Sequence, residues 1–306
     1  MTVERTRKET LYNEAWFKAR AFASIHKLGE DQWDYSDSLL LYTPGSEQEY
    51  ESIQQGDDPY AELITKPERS YLEKIAPRVA KELPQEFEFI DLGPGTANKE
   101  QFLFDELKKL NKRFIYRPVD ISNHYLELAS EHASKQGIAV NPLRSEFEEA
   151  SNKLGLPAIP RFVSLGLTFT NYNPETILAV LKNIAGTGGN IFVDAQMRDR
   201  VDMKAVTQTY AKDAKALVLP KLKLLGLNPD RDISKYETND GVQMWVTVKN
   251  PSRELKDIGV KSGDSFLLFQ SLRYTKEDLE SVIRKHTRSF KLFDTADSFV
   301  GALLKT

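Results

Sequence analysis

The chain has 306 residues and a net charge of −3, with 42 lysines and arginines against 45 aspartates and glutamates, so neither nucleic acid nor an anionic membrane is expected as a partner. It contains no cysteine, which excludes disulfides, thiol nucleophiles and cysteine-ligated metals, and its four histidines are too scattered to indicate a metal site. No run of about 18 apolar residues occurs and charged residues stand near the beginning of the sequence, so we expect a cytoplasmic α/β protein.

Residues 1–64 are polar, rich in aromatic residues and weakly periodic, which indicates a small helical cap. Its aromatic side chains either pack on a main domain or line a substrate pocket, and both interpretations stay open. A longer helix is predicted over 66–83, because Pro67 suits a first turn and the apolar residues that follow have helical spacing.

The next stretch predicts a cofactor site. A buried strand ends at Leu92, Gly93 and Gly95 make a tight turn, and a helix follows. Adenosine cofactors bind at such a turn, at the carboxyl end of a first parallel strand. A dinucleotide needs a third glycine in this turn, where Asn98 stands instead. With Asp91 before the turn, the pattern is typical of S-adenosylmethionine (SAM), and Asp91 suits the ammonium of that cofactor or a bound water.

Two further acids follow the next strands. Asp120 ends the strand 114–120, where a carboxylate is placed to accept hydrogen bonds from a ribose; the alternative is that Asp120 or Ser122 only caps the next helix. Glu146 follows a third strand predicted around 138–143, at a position that suits an adenine amino group.

The alternation of strands and helices predicts a doubly wound parallel sheet, with further strands at 161–168 and 190–194. The pattern then changes. We expect a long helix over 202–225, an antiparallel meander, a helix that starts at Thr275 with a capping-box-like sequence, and two closing strands. The meander is predicted at 242–248, 253–260 and 265–272, and the closing strands at 289–293 and 298–304.

Three segments carry a family resemblance: Asp91–Lys99, Arg117–Ser122 and Leu165–Tyr172. They resemble a glycine turn followed by a lysine, a PVD(I/V)S run and a G-x-T-x-x-N loop of the histidine-specific α-N-methyltransferases. The resemblance implies a class I SAM-dependent methyltransferase Rossmann-like sheet with a second, smaller α+β domain. The SAM-binding domain would comprise 65–196 and 274–306, and the substrate-binding domain 1–64 and 197–273.

The resemblance also implies roles for single residues. Gly93 and Lys99 would contact the methionine part of SAM, with Gly95 and Gly166 beside them in the two glycine motifs. Asp120 would hold the ribose and Glu146 the adenine. On the substrate side, Asn171 would hold the amino group and Tyr210 the carboxylate and amine. Met244 would line the side-chain pocket, and Tyr60 is the nearest candidate for a tyrosine that lies over it.

One departure from the family pattern bears on the substrate. In the histidine enzymes a glutamate and a serine, two residues apart, hold the imidazole; here Phe269 and Ser271 stand at these positions. A carboxylate can pair with an imidazole N–H and a phenyl ring cannot, and burying that N–H unpaired costs about 1–3 kcal/mol. We therefore expect SAM-dependent N-methylation of an amino acid or small amine with an apolar or aromatic side chain, and not of histidine.

Other interpretations stay open at this stage. They are methylation of oxygen or of a peptide terminus, a dinucleotide-dependent enzyme, and a non-catalytic SAM-binding module of the same fold. A small-molecule substrate is the expected partner, and the sequence is compatible with a monomer and with a homodimer.

Overall fold

A computed structural model describes residues 12–43, 59–95, 97–239 and 241–306, with the backbone alone for 213–217. Residues 1–11 and 44–58 of the expected cap lie outside the described residues, as does Thr96 in the glycine turn.

The elements agree with the predicted alternation of strands and helices. The helices are α1 (Glu14–Ala23), α2 (Lys66–Glu82), α3 (Glu100–Lys109), α4 (Asn123–Lys135), α5 (Phe147–Leu154), α6 (Pro174–Ala185), α7 (Met203–Leu224), α8 (Pro229–Asp232), α9 (Arg253–Asp257) and α10 (Lys276–His286). The strands are β1 (His26–Lys27), β2 (Gln32–Asp34), β3 (Glu86–Leu92), β4 (Arg113–Asp120), β5 (Ala139–Val140), β6 (Leu143–Arg144), β7 (Arg161–Gly166), β8 (Asn190–Gln196), β9 (Ile233–Thr238), β10 (Gln243–Val248), β11 (Ser265–Gln270), β12 (Phe290–Asp294) and β13 (Phe299–Lys305).

The chain divides into two units. The larger unit holds residues 64–201 and 273–306, and the smaller one holds residues 1–63 and 202–272. Residues 197–201, expected in the substrate-binding domain, fall in the larger unit. The reason is backbone pairing, since the Met197 amide donates to the Ser298 carbonyl over 2.7 Å and the Arg198 amide to the Tyr274 carbonyl over 2.8 Å.

The larger unit is built on a sheet with the strand order β12-β13-β8-β7-β3-β4-β5, and β6 also pairs with β4. Strands β3, β4, β5, β7 and β8 run parallel, whereas β13 is antiparallel to both β8 and β12. This is the doubly wound sheet with an antiparallel tail that the sequence predicts. The single strand predicted around 138–143 is two short strands, β5 and β6, which pair with β4 at different points.

Aromatic rings fill the core of this sheet. Phe89 on β3 lies 4.8 Å from Phe162 on β7, measured between ring centroids, and both side chains are buried. Helix α2 is fixed to the antiparallel tail through Tyr71, whose hydroxyl donates to the Phe293 carbonyl over 2.6 Å and accepts the Gly301 amide. A side chain at position 301 has no room, because an added Cβ would lie 2.8 Å from the Tyr71 hydroxyl. These contacts hold the strand ends in one rigid layer.

The smaller unit contains a sheet with the strand order β1-β2-β11-β10-β9. Strands β2 and β11 are parallel and the other neighbours are antiparallel. The strand predicted over 253–260 is wrong: the segment is the short helix α9, because the Ser252 hydroxyl accepts the Leu255 amide and caps a helical turn. Strand β9, which the sequence did not indicate, completes the sheet.

A buried lysine holds three segments of the smaller unit together. Lys221 on α7 is fully buried, and its ammonium donates to the carbonyls of Tyr35, Asp37 and Leu268 over 2.8, 3.0 and 2.6 Å. An ammonium has three N–H donors, so all three are paired. Since Leu268 lies on β11, the lysine fixes the strand that carries Phe269.

No helix in the described part of the chain combines the length and the hydropathy needed to cross a membrane.

Candidate functional site

The glycine turn after β3 has the backbone conformation that favours glycine. Gly93 and Gly95 have φ values of 66° and 55°. The Gly93 amide donates to the Val119 carbonyl over 2.9 Å, which ties the turn to the end of β4. An added Cβ at Gly93 would lie 3.4 Å from the ring of Phe147, and nothing lies within 4 Å of one at Gly95. The turn therefore presents bare backbone at the carboxyl ends of β3 and β4.

Asp91 lies within the sheet, just before this turn. Its side chain is buried, and one carboxylate oxygen, Oδ2, accepts the hydroxyl of Tyr116 over 2.6 Å. Burial raises the pKa of Asp91 well above its ordinary value, and the neighbouring Glu100 raises it further. The Tyr116 hydroxyl thus binds one of the two Asp91 oxygens that the sequence suggests for the ammonium of SAM or a bound water.

Asp120 and Glu146 lie at the ends of neighbouring strands. Asp120 is the last residue of β4, and its Oδ1 accepts the Ser122 amide over 2.8 Å; the N-cap of α4 is Ser122, whose hydroxyl accepts the Tyr125 amide. The Asp120 carbonyl accepts the Ser145 amide over 3.0 Å, which brings Glu146, at the start of α5, beside the same edge. The register pairs Leu92 with Val119, so both acids share this edge with the glycine turn.

Gly166 and Asn171 bound the loop that follows β7. Gly166 ends the strand with φ 57° and ψ −148°, and a 3-10 helix runs from Leu167 to Asn171. An added Cβ at Gly166 would lie 3.8 Å from Oδ2 of Asp194 and 4.0 Å from Oε1 of Glu68. This loop therefore begins beside two carboxylates.

These carboxylates belong to a group of charged side chains around a cavity of about 50 Å³. The Lys99 ammonium donates to Oε1 of Glu68 over 2.7 Å. Neither carboxylate oxygen of Asp194 has a hydrogen-bond partner, and the same holds for Oε2 of Glu100. Asp194 is fully buried and follows Val193, the last residue of β8 that pairs in parallel with β7.

The pKa values in this group reflect a surplus of negative charge. Burial raises the pKa of Asp194 well above its ordinary value, and Glu68 adds to the rise while Lys99 opposes it. Burial acts to lower the pKa of Lys99, but the carboxylates of Glu68, Glu100 and Asp194 outweigh it and raise that pKa. The cavity therefore favours a positive charge.

Glu68 and Asp194 are not among the site residues selected from the sequence. The available signal for Asp194 was its place at the end of the fifth predicted strand, since ligands of such sheets bind beyond the carboxyl ends of strands. Glu68 ends the run Thr65-Lys66-Pro67-Glu68, which loosely resembles a threonine-arginine-threonine-glutamate run of the histidine-specific methyltransferases.

Five of the substrate residues expected from the sequence come together in the smaller unit, whereas Asn171 belongs to the larger one. The rings of Tyr210 and Phe269 are stacked, and Tyr60 meets Tyr210 edge-on with centroids 5.5 Å apart. The hydroxyls of Tyr210 and Ser271 lie 3.3 Å apart. Met244 on β10 is the cross-strand neighbour of Phe269 on β11, and both side chains are buried. Five residues from four separate segments thus form one cluster.

Comparison with known families decides the class of protein. A model of the family described as histidine-specific methyltransferase, SAM-dependent, matches residues 28–216. The chain belongs to this family. It is a SAM-dependent methyltransferase, and its larger unit has the class I methyltransferase fold. A search of curated proteins found no match.

Solved structures resemble the chain at low identity. A candidate O-methyltransferase from Nostoc punctiforme is 14% identical, with a TM-score of 0.42, over 77% of this chain and 57% of that one. A SAM-dependent methyltransferase from Clostridium acetobutylicum is 16% identical, with a TM-score of 0.41, over 84% and 96% of the two chains. The plantazolicin methyltransferase BpumL, in complex with S-adenosylhomocysteine (SAH), is 15% identical, with a TM-score of 0.41, over 89% and 93%. At such scores these likenesses carry no argument about the substrate.

The edge formed by β3, β4, β7 and β8 fits SAM chemically. SAM has a sulfonium and an ammonium but no phosphate, and the unpaired oxygens of Asp194 and Glu100 suit a cation. The negative charge of a pyrophosphate would be repelled by the same carboxylate oxygens. The bare backbone at Gly93 and Gly95 allows close approach.

Proposed function

We propose that this enzyme methylates the amino group of an amino acid or related small amine whose side chain is apolar or aromatic, and that histidine is not its substrate. The observation that carries the proposal is the stacking of Phe269 on Tyr210, at the position where the resemblance to the histidine enzymes places a glutamate. The ring is buried and leaves no carboxylate there to pair with an imidazole N–H.

The aromatic surroundings support an apolar or aromatic side chain. Tyr60, Tyr210 and Phe269 supply three ring faces or edges, and Met244 adds a soft thioether next to Phe269. Aromatic groups pack well in such surroundings through offset and edge-on contacts. We assign these four residues to the side chain of the substrate.

Polar groups are available for the amino-acid end of the substrate. We assign the paired hydroxyls of Tyr210 and Ser271 to its carboxylate and amine. Asn171, at the end of the loop after β7, is assigned to the amino group. An ammonium has no lone pair, so the amine must lose a proton before transfer, and Tyr210 or a water would relay it.

The cofactor residues follow from the edge of the larger sheet. We assign Gly93, Gly95, Gly166, Asp91 and Lys99 to the methionine end of SAM, Asp120 to the ribose and Glu146 to the adenine. When bound, SAM supplies a methyl group on a sulfonium. The protein forms no covalent bond in this reaction; its residues bind and orient the groups that react.

The test is an assay of a panel of amino acids and amines for methyl incorporation from SAM, with the methylated atom located by mass spectrometry. The panel should include tryptophan, phenylalanine, leucine and histidine, together with their O-methyl esters and deaminated analogues. We expect turnover of an apolar or aromatic member on nitrogen, and none of its deaminated analogue. Efficient turnover of histidine, or transfer to oxygen, would disprove the proposal.

A further inference from the structure

The charged group around the cavity lies entirely within the larger unit. The cavity is about 50 Å³ in volume, and its lining combines the charged residues Glu68, Lys99, Glu100 and Asp194 with an apolar wall of α2, α3 and strand residues; Gly166 lies at the same edge. Within the described residues, no three histidine or acidic side chains are arranged to hold a metal ion.

The pairing within the group is incomplete. Lys99 is the cation among three acids, and its 2.7 Å contact is with Glu68. Asp194 has no exposed surface and both of its oxygens lack a hydrogen-bond donor. A buried carboxylate in this state is costly, and its protonation or the arrival of a cation removes the cost. The group is therefore arranged to accept one more positive charge.

The position of Asp194 indicates which ligand would bring the additional positive charge. Oδ2 of Asp194 lies 3.8 Å from the position of a Cβ on Gly166, the residue that ends β7 and opens the loop to Asn171. The same cavity wall carries Lys99, a donor that suits a carboxylate. The α-amino-acid end of SAM carries an ammonium next to a carboxylate. This wall offers the Asp194 carboxylate to the ammonium and the Lys99 ammonium to the carboxylate.

Asp91, the acid that the sequence suggests for the ammonium, is less available. One of its oxygens already accepts the Tyr116 hydroxyl over 2.6 Å. Asp194 has both oxygens free of protein donors and lines the cavity directly.

We propose that Asp194 is the residue that binds the ammonium of the SAM methionyl group, with Lys99, held by Glu68, beside it for the carboxylate. A charge-assisted hydrogen bond of this kind, made in a buried site, corresponds to about a 10- to 100-fold gain in affinity. The same contact forms with SAH, which keeps the amino-acid end.

The experiment compares two ligands that differ only in the ammonium: SAH and its deaminated analogue, S-adenosyl-4-thiobutyrate. Isothermal titration calorimetry on the intact protein measures both dissociation constants. The wild-type protein should bind SAH about 10-fold or more tightly than the analogue. Equal binding would overturn the proposal without any variant, and methyl transfer plays no part in the measurement.

Variants then assign the difference to Asp194. Asp194→Asn keeps the shape and should lose about 10-fold or more in SAH affinity while the analogue binds as before. Asp105→Asn, an exposed carboxylate on α3, serves as the control for charge loss and should change neither constant. Thermal unfolding checks that Asp194→Asn folds. A folded Asp194→Asn variant that binds SAH like the wild type, or that loses both ligands equally, would refute the assignment.

Discussion

The ring of Phe269 lies nearly parallel to the ring of Tyr210, with centroids 5.8 Å apart and an angle of 21° between the planes. Tyr210 therefore makes two contacts with different parts of the cluster. Its hydroxyl faces Ser271, and its ring packs against Phe269, the residue that we place at the substrate side chain. A change at position 269 alters the side-chain pocket while the Tyr210–Ser271 pair stays in place, which makes the substrate preference testable.

Phe269→Glu should create activity towards histidine. The carboxylate supplies a partner for the imidazole N–H, worth about 1–3 kcal/mol or roughly 10- to 100-fold in kcat/KM, and it should lower the turnover of an aromatic substrate by a similar factor. Phe269→Leu is the control, because it removes the ring without adding a charge and should not turn over histidine. If Phe269→Glu folds and shows no histidine methylation, the ring is not the feature that excludes this substrate.

Gly166→Ala should weaken SAH binding. The backbone there is in a region that is nearly exclusive to glycine, so the substitution costs about 1–3 kcal/mol of stability, and its methyl group would project towards Asp194. Gly155→Ala is a matched control, since Gly155 has a similar conformation, φ 67° and ψ −169°, with nothing within 4 Å of an added Cβ. Both variants should unfold more easily, but only Gly166→Ala should lose SAH affinity, measured by calorimetry. A similar loss in both would mean that strain alone is responsible.

SAH affinity should rise as the pH rises through the pKa of Asp194 in the free protein. Burial raises the pKa of Asp194 in the free protein, and an ammonium favours its ionised form, so binding lowers that pKa and releases a proton. Affinity is therefore reduced wherever Asp194 is protonated in the free protein and recovers as the pH rises through that pKa. Calorimetry in buffers of different ionisation enthalpy measures the released proton. In the Asp194→Asn variant this proton release should disappear. If the pH dependence of SAH affinity is unchanged in that variant, another group is responsible for it.

Lys221→Met should destabilise the smaller unit and raise the KM for the substrate. Three carbonyls, two of them in buried hydrogen bonds and one in a part-buried one, would lose their donor at a cost of about 3 kcal/mol, and one of them belongs to Leu268, which adjoins Phe269. Lys223→Met, at an exposed position on the same helix, should change neither quantity. Urea unfolding and steady-state kinetics provide the measurements. A wild-type KM in the Lys221→Met variant would show that Lys221 does not determine the position of Phe269.

The central parallel strands of the larger unit were predictable because each is a short apolar run next to a glycine turn. Strand β3 is buried along most of its length and stops at Gly93, β7 ends at Gly166, and β8 follows Gly189. The short segments of the smaller unit lack such signals. The segment 253–260 has three apolar residues without the strict alternation of a strand, and the Ser252 cap makes its first part, Arg253–Asp257, a helix.

The class of cofactor and the question about the substrate can both be read from the amino-acid sequence alone. Asn98 in the third glycine position, Asp120 at a strand end and Phe269 in place of a glutamate are all local features that need no fold to be recognised. The folded chain was needed to see that Tyr60, Tyr210 and Phe269 form one ring cluster, and that Asp194 is left without a donor beside the Lys99–Glu68 pair. The physical reason is that burial and the pairing of charges depend on side chains from segments far apart in the chain, and no local pattern records which of them meet.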